Sequence, residues 1–454
     1  MYAERSGASR RFVRSGTDLP VAGRRDRMLD SPDTMTRRRA VITGLGAVTP
    51  FGEGIEAFRI GLLEGKSAVR RVSLFDPGDL PSQVAAEVPG FDPNLWLDPA
   101  DRLRVGRIVP LALAAAREAL VASGLASPDR AATMPRRADV GVVIGSGAGA
   151  IDFAERQYEA YYRDGIHRVN PFAISSSVLG MLSSELSIAF GFTGLSHVIS
   201  DGCTSSTDAI GSAQRIIERG DLPVVLTGGA EACITRGMME GFCRMKAAAT
   251  GWNDRPEKAS RPFNRDRSGF VLGEGAWLLV LEEAEHARAR GAAILGEVAG
   301  YGATCDAHHR VHMHGEGEES TRAMALALAD AGASAGEVDY VNLHGTSTQQ
   351  NDRIETRAVR NLLGARADRV PCSATKSLLG HPQGACGAMG LQATLLGLLG
   401  GYVPPTINYE RPDPDCDLDY VPNRPRRHDI RLALCNCIGF GSKNAALVLR
   451  RWEP

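Results

Sequence analysis

The sequence has almost no net charge and no long hydrophobic run. Its 454 residues carry 52 Lys and Arg against 53 Asp and Glu, which leaves a formal net charge of −1 at pH 7. A balance so close to zero gives no long-range field toward nucleic acid or an anionic membrane surface. No apolar run approaches the roughly 20 residues that a bilayer-spanning helix needs. We therefore expect no nucleic-acid partner and no membrane association.

The sequence also shows no disulfide framework and no zinc-ligand spacing. The start of the chain has no charged segment followed by an apolar core, the pattern of a secretory leader. Nine cysteines is an odd number, and Cys435 and Cys437 alternate along a strand pattern instead of following zinc-ligand spacing. We expect free thiols in a reducing cytoplasm, and no metal centre.

Residues 1–37 differ in composition from the rest of the chain. They are rich in Arg, Ser, Gly and Asp and have no apolar periodicity, which predicts a disordered Arg-rich extension. Five acidic residues stand among the arginines, which argues against a transit peptide. Met28 and Met35 are alternative starting positions, so the extension is either part of the natural chain or a start-site artefact.

Apolar segments and helical patterns alternate along the remainder of the chain. Arg107–Gly124 has amphipathic helical spacing, and Asp139–Gly147 is an apolar strand that ends in a glycine turn. Continued alternation of such elements predicts an α/β fold with a mainly parallel sheet covered on both faces. With 43% hydrophobic residues, the chain can form a large core and is too long for one simple domain.

Strand and glycine-turn units recur in the same order in two halves of the chain. Asp139–Gly147 corresponds to Asp339–Gly345, and Val224–Glu231 corresponds to Leu432–Gly441. The recurrence indicates a duplicated βαβ-type unit. The predicted halves are residues 38–292 and residues 293–454.

The stretch Ser200–Ser206 lies between a predicted strand and a predicted helix. The strand is Leu195–Ile199, and helical spacing continues to Gly220, which has the position of a C-terminal cap. Cys203 is thereby expected on a tight turn, exposed at a helix N-terminus, where N–H groups and the helix dipole favour a nucleophilic thiolate. A buried structural thiol is the alternative.

Three further stretches carry residues that could complete a site around this cysteine. Two histidines each stand beside a glycine turn at or just after a strand end, where active-site residues are common. A single histidine there is more often structural, but two of them with a cysteine on its own turn favour catalysis. The stretches are His344-Gly345-Thr346-Ser347-Thr348, Lys376-Ser377-Leu378-Leu379-Gly380-His381 and Gly439-Phe440-Gly441.

Two other motifs are weaker signals. Gly44-Leu45-Gly46 follows a strand, but the third glycine of a dinucleotide-binding loop is missing, and Pro50 interrupts the expected helix. We reject that interpretation. The histidine-rich run Cys305–His314 offers several possible metal ligands, but metal binding is the less favoured alternative.

The main motifs, in their order, resemble those of the β-ketoacyl-acyl-carrier-protein synthases, which are condensing enzymes. The resemblance spans nearly all of the chain from Arg38 onward. Cys203, His344, Lys376 and His381 all fall in the motifs of that family and in the same order.

The resemblance implies both a fold and a reaction. The fold is thiolase-like, with two duplicated mixed-sheet βαβ halves in a layered αβαβα arrangement. The reaction is the decarboxylative Claisen condensation of malonyl-ACP with an acyl chain held as a thioester on Cys203, in type II polyketide or fatty-acid biosynthesis. Asn351–Thr356 and Asp413–Pro422 are most similar to the ketosynthase subunit of type II polyketide synthases.

The resemblance also implies a role for each catalytic residue. Cys203 is the nucleophile, and the backbone N–H groups of Cys203 and Phe440 form the oxyanion site. His344 and His381 each donate an N–H to the enolate that forms when the malonyl group loses CO2. Lys376 orients its neighbours and tunes the local field.

Other residues are implied to support the site. Phe440 is a gate over the cysteine, and Cys305–His314 is a loop near the site entrance. Glu274 and Asp266 support loops and take no part in the chemistry. The remaining supporting residues are Thr346, Thr348, Gly439 and Gly441.

The chain departs from the family pattern at four positions near the site. Ser347 stands where the family often has a glycine, and Cys386 replaces an alanine. Gly390 takes the place of a glutamate that contacts the lysine, so the usual ionic partner of Lys376 is expected to be absent. Lys443 replaces a small or polar residue near the gate.

Partners and substrates are likewise implied by the resemblance. No intrinsic cofactor is expected, because the substrates are carried on the phosphopantetheine of an acyl carrier protein. A dimer is expected, either a homodimer or a heterodimer with a chain-length-factor-like subunit. The alternative function is a non-catalytic chain-length-factor-like subunit, which Cys203 disfavours, and a biosynthetic thiolase would need a second cysteine that Gly439–Gly441 does not offer.

Overall fold

The computed structural model describes residues 37–129, 137–163 and 169–453. The predicted disordered extension, apart from Arg37, lies outside the described residues. Among the residues that are described, no helix has both the length and the apolar character that crossing a bilayer requires.

The strands are numbered in chain order. They are β1 Ala40–Thr49, β2 Gly52–Glu53, β3 Arg70–Arg71, β4 Val84–Ala86, β5 Val140–Gly145, β6 Ser196–Ile199, β7 Val224–Glu231, β8 Leu272–Gly273, β9 Gly275–Glu283, β10 Gly296–Cys305, β11 Tyr340–Asn342, β12 Cys372–Ser373, β13 Tyr402–Val403, β14 Arg426–Arg427, β15 Leu432–Gly439 and β16 Lys443–Arg450.

The helices are numbered in the same way. They are α1 Ile55–Glu64, α2 Pro99–Arg102, α3 Ile108–Ala122, α4 Ile151–Tyr162, α5 Ala173–Ser177, α6 Met181–Phe190, α7 Ser205–Arg219, α8 Arg236–Arg244, α9 Ala284–Ala289, α10 Glu318–Asp330, α11 Gln349–Leu363, α12 Lys376–Leu379 and α13 Cys386–Gly400. Short 3₁₀ turns lie at Pro93–Leu95, Gly202–Thr204, Pro256–Lys258, Ala335–Glu337, Gly364–Asp368 and Gln383–Ala385.

The first half of the main sheet has the strand order β1, β9, β7, β5 and β6. Strand β9 runs antiparallel to β1 and β7, whereas β5 runs parallel to β7 and β6. Counted along the chain, these five are the first, fifth, fourth, second and third main strands of that half. The sheet is therefore mixed. The expectation of a mainly parallel sheet is wrong at β9, which is antiparallel to both of its neighbours.

The second half repeats this arrangement strand for strand. Its order is β10, β16, β15, β11 and β12, again first, fifth, fourth, second and third. The parallel and antiparallel pairings also repeat, and β1 joins β10 where Ala40 pairs with Val298. The repeat confirms the predicted correspondences, because β5 matches β11 and β7 matches β15. Strands β15 and β16 form a hairpin, whose short turn requires antiparallel strands.

Helices occupy three layers around the two half-sheets. Helices α7 and α13 pack against each other between the half-sheets, in one apolar cluster that includes Ile210 and Leu391. Helix α3 covers the outer face of the first half-sheet, and α10 covers that of the second. This is the predicted αβαβα arrangement. The predicted boundary at residue 292 falls between α9 and β10, and it stays a prediction.

The sequence of the two inner helices explains how closely they pack. Helix α13 is buried on nearly every side, and small residues fill its first turns from Cys386 onward. Helix α7 ends as predicted at Gly220, which has a φ of 76° and donates its N–H to the last-turn carbonyls. At Gly145 on β5, an added Cβ would lie 2.3 Å from the nitrogen of Ser206. A glycine there lets the start of α7 touch the sheet.

Candidate active site

Cys203 lies on the 3₁₀ turn Gly202–Thr204, directly before α7. The hydroxyl of Ser205 holds this turn, because it accepts the N–H of Asp201 and donates to the carbonyl of Gly202. The Cys203 residue is only 3% exposed, so the prediction of an exposed cysteine is wrong. Side chains of the second half cover it, and the local pattern around it contains no sign of them.

The two predicted histidines lie together beside this sulfur. His381 places its Nε2 3.1 Å from the Sγ of Cys203. The ring of His344 lies 5.3 Å from that of His381, centroid to centroid, with the two planes at 87°. A cysteine from the first half and two imidazoles from the second half therefore share one site, as the sequence analysis predicted.

Lys376 contacts the far side of the His344 ring. Its Nζ lies 3.3 Å from the Nδ1 of His344. An ammonium group has only donors, so Nδ1 accepts this hydrogen bond and the proton of the neutral ring is on Nε2. The backbone N–H groups of His344 and Gly345 are in turn bound by the carboxylate of Glu355, at 2.6 and 2.7 Å.

Burial controls the charge state of the site. Together with the charge of Lys376, it lowers the pKa of His344 to about 3. Burial also lowers the pKa of His381. Burial raises the pKa of the Cys203 thiol, although the Lys376 charge and the N–H of Phe440 act in the opposite direction. These directions favour a thiol beside neutral imidazoles at rest and oppose the expected thiolate, which stays a prediction.

Phe440 contributes a backbone group and a ring. Its N–H is directed at the sulfur of Cys203, and its ring stacks on that of Phe242, with centroids 6.5 Å apart and planes at 20°. The following turn has positive φ at Gly441 (84°) and Ser442 (65°). Phe440 and Cys203 line the same cavity, as a gate requires, and that role stays a prediction.

A cavity of about 240 Å³ gives access to these residues. Cys203, His344 and His381 lie in its wall, together with Phe440. The predicted supporting residues Thr346 and Thr348 also line it, and their hydroxyls are 2.9 Å apart. Part of the histidine-rich loop contributes to the wall through Val311, His312 and Met313.

The two halves of the chain match two family models. The model described as "Beta-ketoacyl synthase, N-terminal domain" matches residues 37–287, and the model described as "Beta-ketoacyl synthase, C-terminal domain" matches residues 295–410. The chain belongs to the β-ketoacyl synthase family. Its predicted fold class and its predicted enzyme class, an acyltransferase of the ketosynthase type, are confirmed, and the non-catalytic alternative is not favoured.

Similar proteins cover almost the whole chain. The 3-oxoacyl-[acyl-carrier-protein] synthase 2 of Coxiella burnetii is 42% identical over 417 residues, which are 92% of this chain and 99% of that protein. The putative polyketide beta-ketoacyl synthase 1 of Streptomyces halstedii is 43% identical over 419 residues, which are 91% and 98% of the two chains. The solved structure of the ishigamide ketosynthase/chain length factor superimposes with a TM-score of 0.84 at 34% identity, over 92% of this chain and 100% of that one.

Two carboxylates were predicted to support loops, Glu274 and Asp266. Neither is among the described residues that line the cavity. Glu274 is fully buried, and both of its oxygens accept hydrogen bonds from Arg107, at 2.7 and 2.9 Å. Asp266 accepts a hydrogen bond of 2.9 Å from the buried side chain of Arg261. Both carboxylates thus bind arginines within loops.

Two departures from the family pattern have visible consequences. At Gly390 an added Cβ would lie 2.5 Å from the Oδ1 of Asn342, so this position has no room for a larger side chain. Within the described part of the chain, no carboxylate forms an ion pair with Lys376. Lys443 forms an ion pair with Asp201, which links the Phe440 turn to the turn that carries the nucleophile.

Two buried carboxylates near the site, Glu355 and Glu231, were not among the residues that the sequence motifs indicated. Glu355 also accepts the amide of Asn436 at 2.7 Å, and Glu231 accepts the N–H groups of Gly147 and Gly384 at 2.8 and 2.9 Å. Burial raises the pKa of each to about 7. The only signal for Glu355 is its place in the stretch that resembles ketosynthases, and Glu231 has none beyond its position at a strand end.

Sulfur and imidazole atoms are close enough here to be considered as metal ligands. Cys203, His344 and His381 form one group with ligand atoms within 4.8 Å of one another, and His344, Cys386 and Cys437 form a second. The ammonium of Lys376 lies next to His344, where it opposes a second cation. The expectation that the site works without a metal stays a prediction.

Proposed function

We propose that this enzyme extends an acyl chain held on Cys203 by decarboxylative condensation with a malonyl group. One observation carries the proposal: the Sγ of Cys203 lies 3.1 Å from the Nε2 of His381, with His344 beside it, in the wall of one cavity. The substrates are proposed to arrive on the phosphopantetheine of an acyl carrier protein. The name of the Coxiella burnetii relative includes an acyl carrier protein.

The first step is transfer of the acyl group to the cysteine. Because Cys203 is a thiol at rest, its proton moves to the Nε2 of His381 as Sγ attacks the thioester carbonyl. The N–H groups of Cys203 and Phe440 hold the oxyanion. When the intermediate collapses, the phosphopantetheine thiol leaves with the proton from His381, and the imidazole is neutral again.

The second step is the condensation. The malonyl thioester loses CO2, and the electron pair of the broken C–C bond forms an enolate. The Nε2–H of His344 donates to its oxygen as negative charge develops, and His381 donates beside it once its proton has moved from Nδ1 to Nε2, the other neutral tautomer. The enolate carbon then attacks the Cys203 thioester, which releases the β-ketoacyl thioester and a cysteine thiolate. A proton from solvent restores the thiol.

We infer that the face of the first half around strand β6 binds a second thiolase-fold subunit. Strand β6 pairs only with β5 among the described strands, so its outer edge is open. Exposed apolar side chains lie on this side of the first half; they are Val169, Phe172, Ile174, Val178, Leu179, Ile188 and Leu195. The partner is either a second copy or a chain-length-factor-like subunit such as the one in the ishigamide structure. Sedimentation of the purified chain, alone and coexpressed with a neighbouring homologue, distinguishes the two.

We also propose the cytoplasm as its location, and type II polyketide or fatty-acid biosynthesis as its pathway. All nine cysteines are free thiols, which suits a reducing compartment.

The test is an assay in two stages. The enzyme is first acylated with an acyl chain on the carrier protein, and a malonyl group on the carrier protein is then added. Wild-type enzyme is expected to become acylated and to form a β-ketoacyl product, both measured by intact mass. Cys203→Ala is expected to lose the acyl adduct and the product. Cys372→Ala, which removes another buried free thiol, is the matched control and keeps both. Product formation at the wild-type rate by Cys203→Ala would refute the proposal.

A further inference from the structure

A glutamine contacts the same sulfur that His381 contacts. The Oε1 of Gln383 lies 3.8 Å from the Sγ of Cys203, within the range of a hydrogen bond to sulfur. The Gln383 residue is only 6% exposed. Neither the proposed acyl transfer nor the proposed condensation uses this amide.

The other atom of this amide has no partner. The Nε2 of Gln383 is buried and forms no hydrogen bond in the structure. In this orientation Oε1 accepts from the Cys203 thiol, and the N–H donor is the group left over. A buried polar atom without a partner is costly, and one in a side chain that contacts the nucleophile points to a group that arrives with the substrate.

The backbone around Gln383 is held firmly. The residue has a φ of 36°, in the left-handed region that glutamine seldom adopts. Two hydrogen bonds fix the turn: Ala385 N–H donates to the carbonyl of Pro382, and Gly384 N–H donates to the buried carboxylate of Glu231. The amide is therefore presented to the sulfur by a constrained turn.

Gln383 reaches the sulfur from outside the entrance cavity. Cys203, His381 and Phe440 are in the wall of that cavity, and Gln383 is not among the described residues that line it. The malonyl group must enter through the same cavity after the acyl chain is loaded. The loaded chain therefore has to leave that space, and Gln383 contacts the sulfur without being part of that wall.

We propose that Gln383 is a further catalytic residue, whose free amide N–H donates a hydrogen bond to an oxygen near the thioester end of the acyl chain on Cys203. The substrate class is then an acyl chain that keeps an oxygen on its β-carbon, and fully reduced chains are disfavoured. A buried N–H that finds no acceptor on a reduced chain penalises that chain, whereas a hydroxyl or keto oxygen relieves the penalty. This inference rests on the proposed function and narrows its substrate.

The experiment compares two acyl groups of equal length. Single-turnover acylation of Cys203 is measured by intact mass with hexanoyl and 3-hydroxyhexanoyl thioesters of the carrier protein. Wild-type enzyme is expected to react faster with the 3-hydroxy chain. Gln383→Leu removes the amide and is expected to reduce this preference about tenfold, the effect of one hydrogen bond, mainly by slowing the hydroxylated chain.

Two further variants make the result specific. Gln383→Glu keeps the shape but replaces the NH2 donor, and it is expected to lose the preference as Gln383→Leu does. The glutamate variant also tests the proposal if the leucine variant does not fold. Gln214→Leu is the matched control, because Gln214 is another buried glutamine with an unpartnered amide atom, located on α7. Its preference should equal that of the wild type.

The inference is overturned if wild-type enzyme shows no preference, if Gln383→Leu keeps the preference, or if that variant slows both chains equally. The last result would mean that the amide only positions the sulfur. Failure of the proposed function looks different, because the wild-type enzyme would then accept neither chain.

Discussion

The Nζ of Lys376 lies 3.3 Å from the Nδ1 of His344, and this contact determines which ring nitrogen carries the proton. Since the lysine can only donate, the Nε2–H of His344 is left to bind the developing enolate. His381 has a different environment: its Nε2 faces the sulfur, and its Nδ1 has no hydrogen-bond partner. His344 is thereby suited to stabilising the enolate in the condensation, and His381 is suited to accepting the proton of Cys203 in the acylation.

Replacing Lys376 by methionine should separate these tasks. Without the ammonium, the His344 ring can carry its proton on Nδ1, and the condensation rate is expected to fall roughly 10²-fold. Acylation of Cys203 depends on His381 and should change much less. Rapid quench with mass detection measures both steps, and Lys258→Met, on the partly exposed pair with Glu410, is the control. An equal loss in both steps would contradict the tautomer argument.

The pH dependence should show that His344 stays neutral in the folded protein. Its pKa is about 3 in the folded state against an ordinary value of 6.5. The unfolded state therefore takes up a proton that the folded state does not, so the contribution to the free energy of unfolding is complete above pH 6.5 and is lost as the pH falls toward 3. Chemical denaturation of wild type and His344→Asn between pH 8 and 5 measures it. The stability difference between the two should decrease below pH 6.5, and a constant difference would refute the prediction.

The ion pair between Lys443 and Asp201 should contribute little to stability. The two side chains are 41% and 34% exposed, and pairs with such exposure contribute about 0.2–1 kcal/mol. A double-mutant cycle with Lys443→Met and Asp201→Asn, measured by urea denaturation, should give a coupling energy in this range. In 1 M salt the coupling should nearly vanish, because the charges are screened. A coupling energy that is unchanged in salt would mean that the pair acts as a buried one.

Removing the carboxylate of Glu355 should affect both stability and the site. Glu355→Ala leaves the buried N–H groups of His344 and Gly345 without an acceptor, at a cost of about 2–5 kcal/mol in the free energy of unfolding. Glu355→Gln keeps an acceptor oxygen and should cost less. Glu285→Ala, at a mostly exposed position, is the control. If Glu355→Ala were as stable as that control, the carboxylate would not be holding the His344 loop.

Much of the architecture could be read from local sequence. Apolar runs that end in glycine placed strands β5, β7, β11 and β15 in order, and the cap at Gly220 placed the end of α7. The mixed direction of the sheet could not be read in this way. A strand of either direction has the same alternation of side chains, and only its pairing with distant strands sets its direction.

For the candidate site too, some features could be predicted from the local sequence and others depend on long-range packing. The sequence by itself determined the chemical groups, one thiol, two imidazoles and an ammonium, because they stand in three short motifs, each with its own glycine turn; Lys376 and His381 share one of them. Only the tertiary structure decided that Cys203 is buried, that His381 lies 3.1 Å from its sulfur across 178 residues of chain, and that Gln383 and Glu355 reach the site. Burial and hydrogen bonding are set by whatever packs against a residue, and here that is the other half of the molecule.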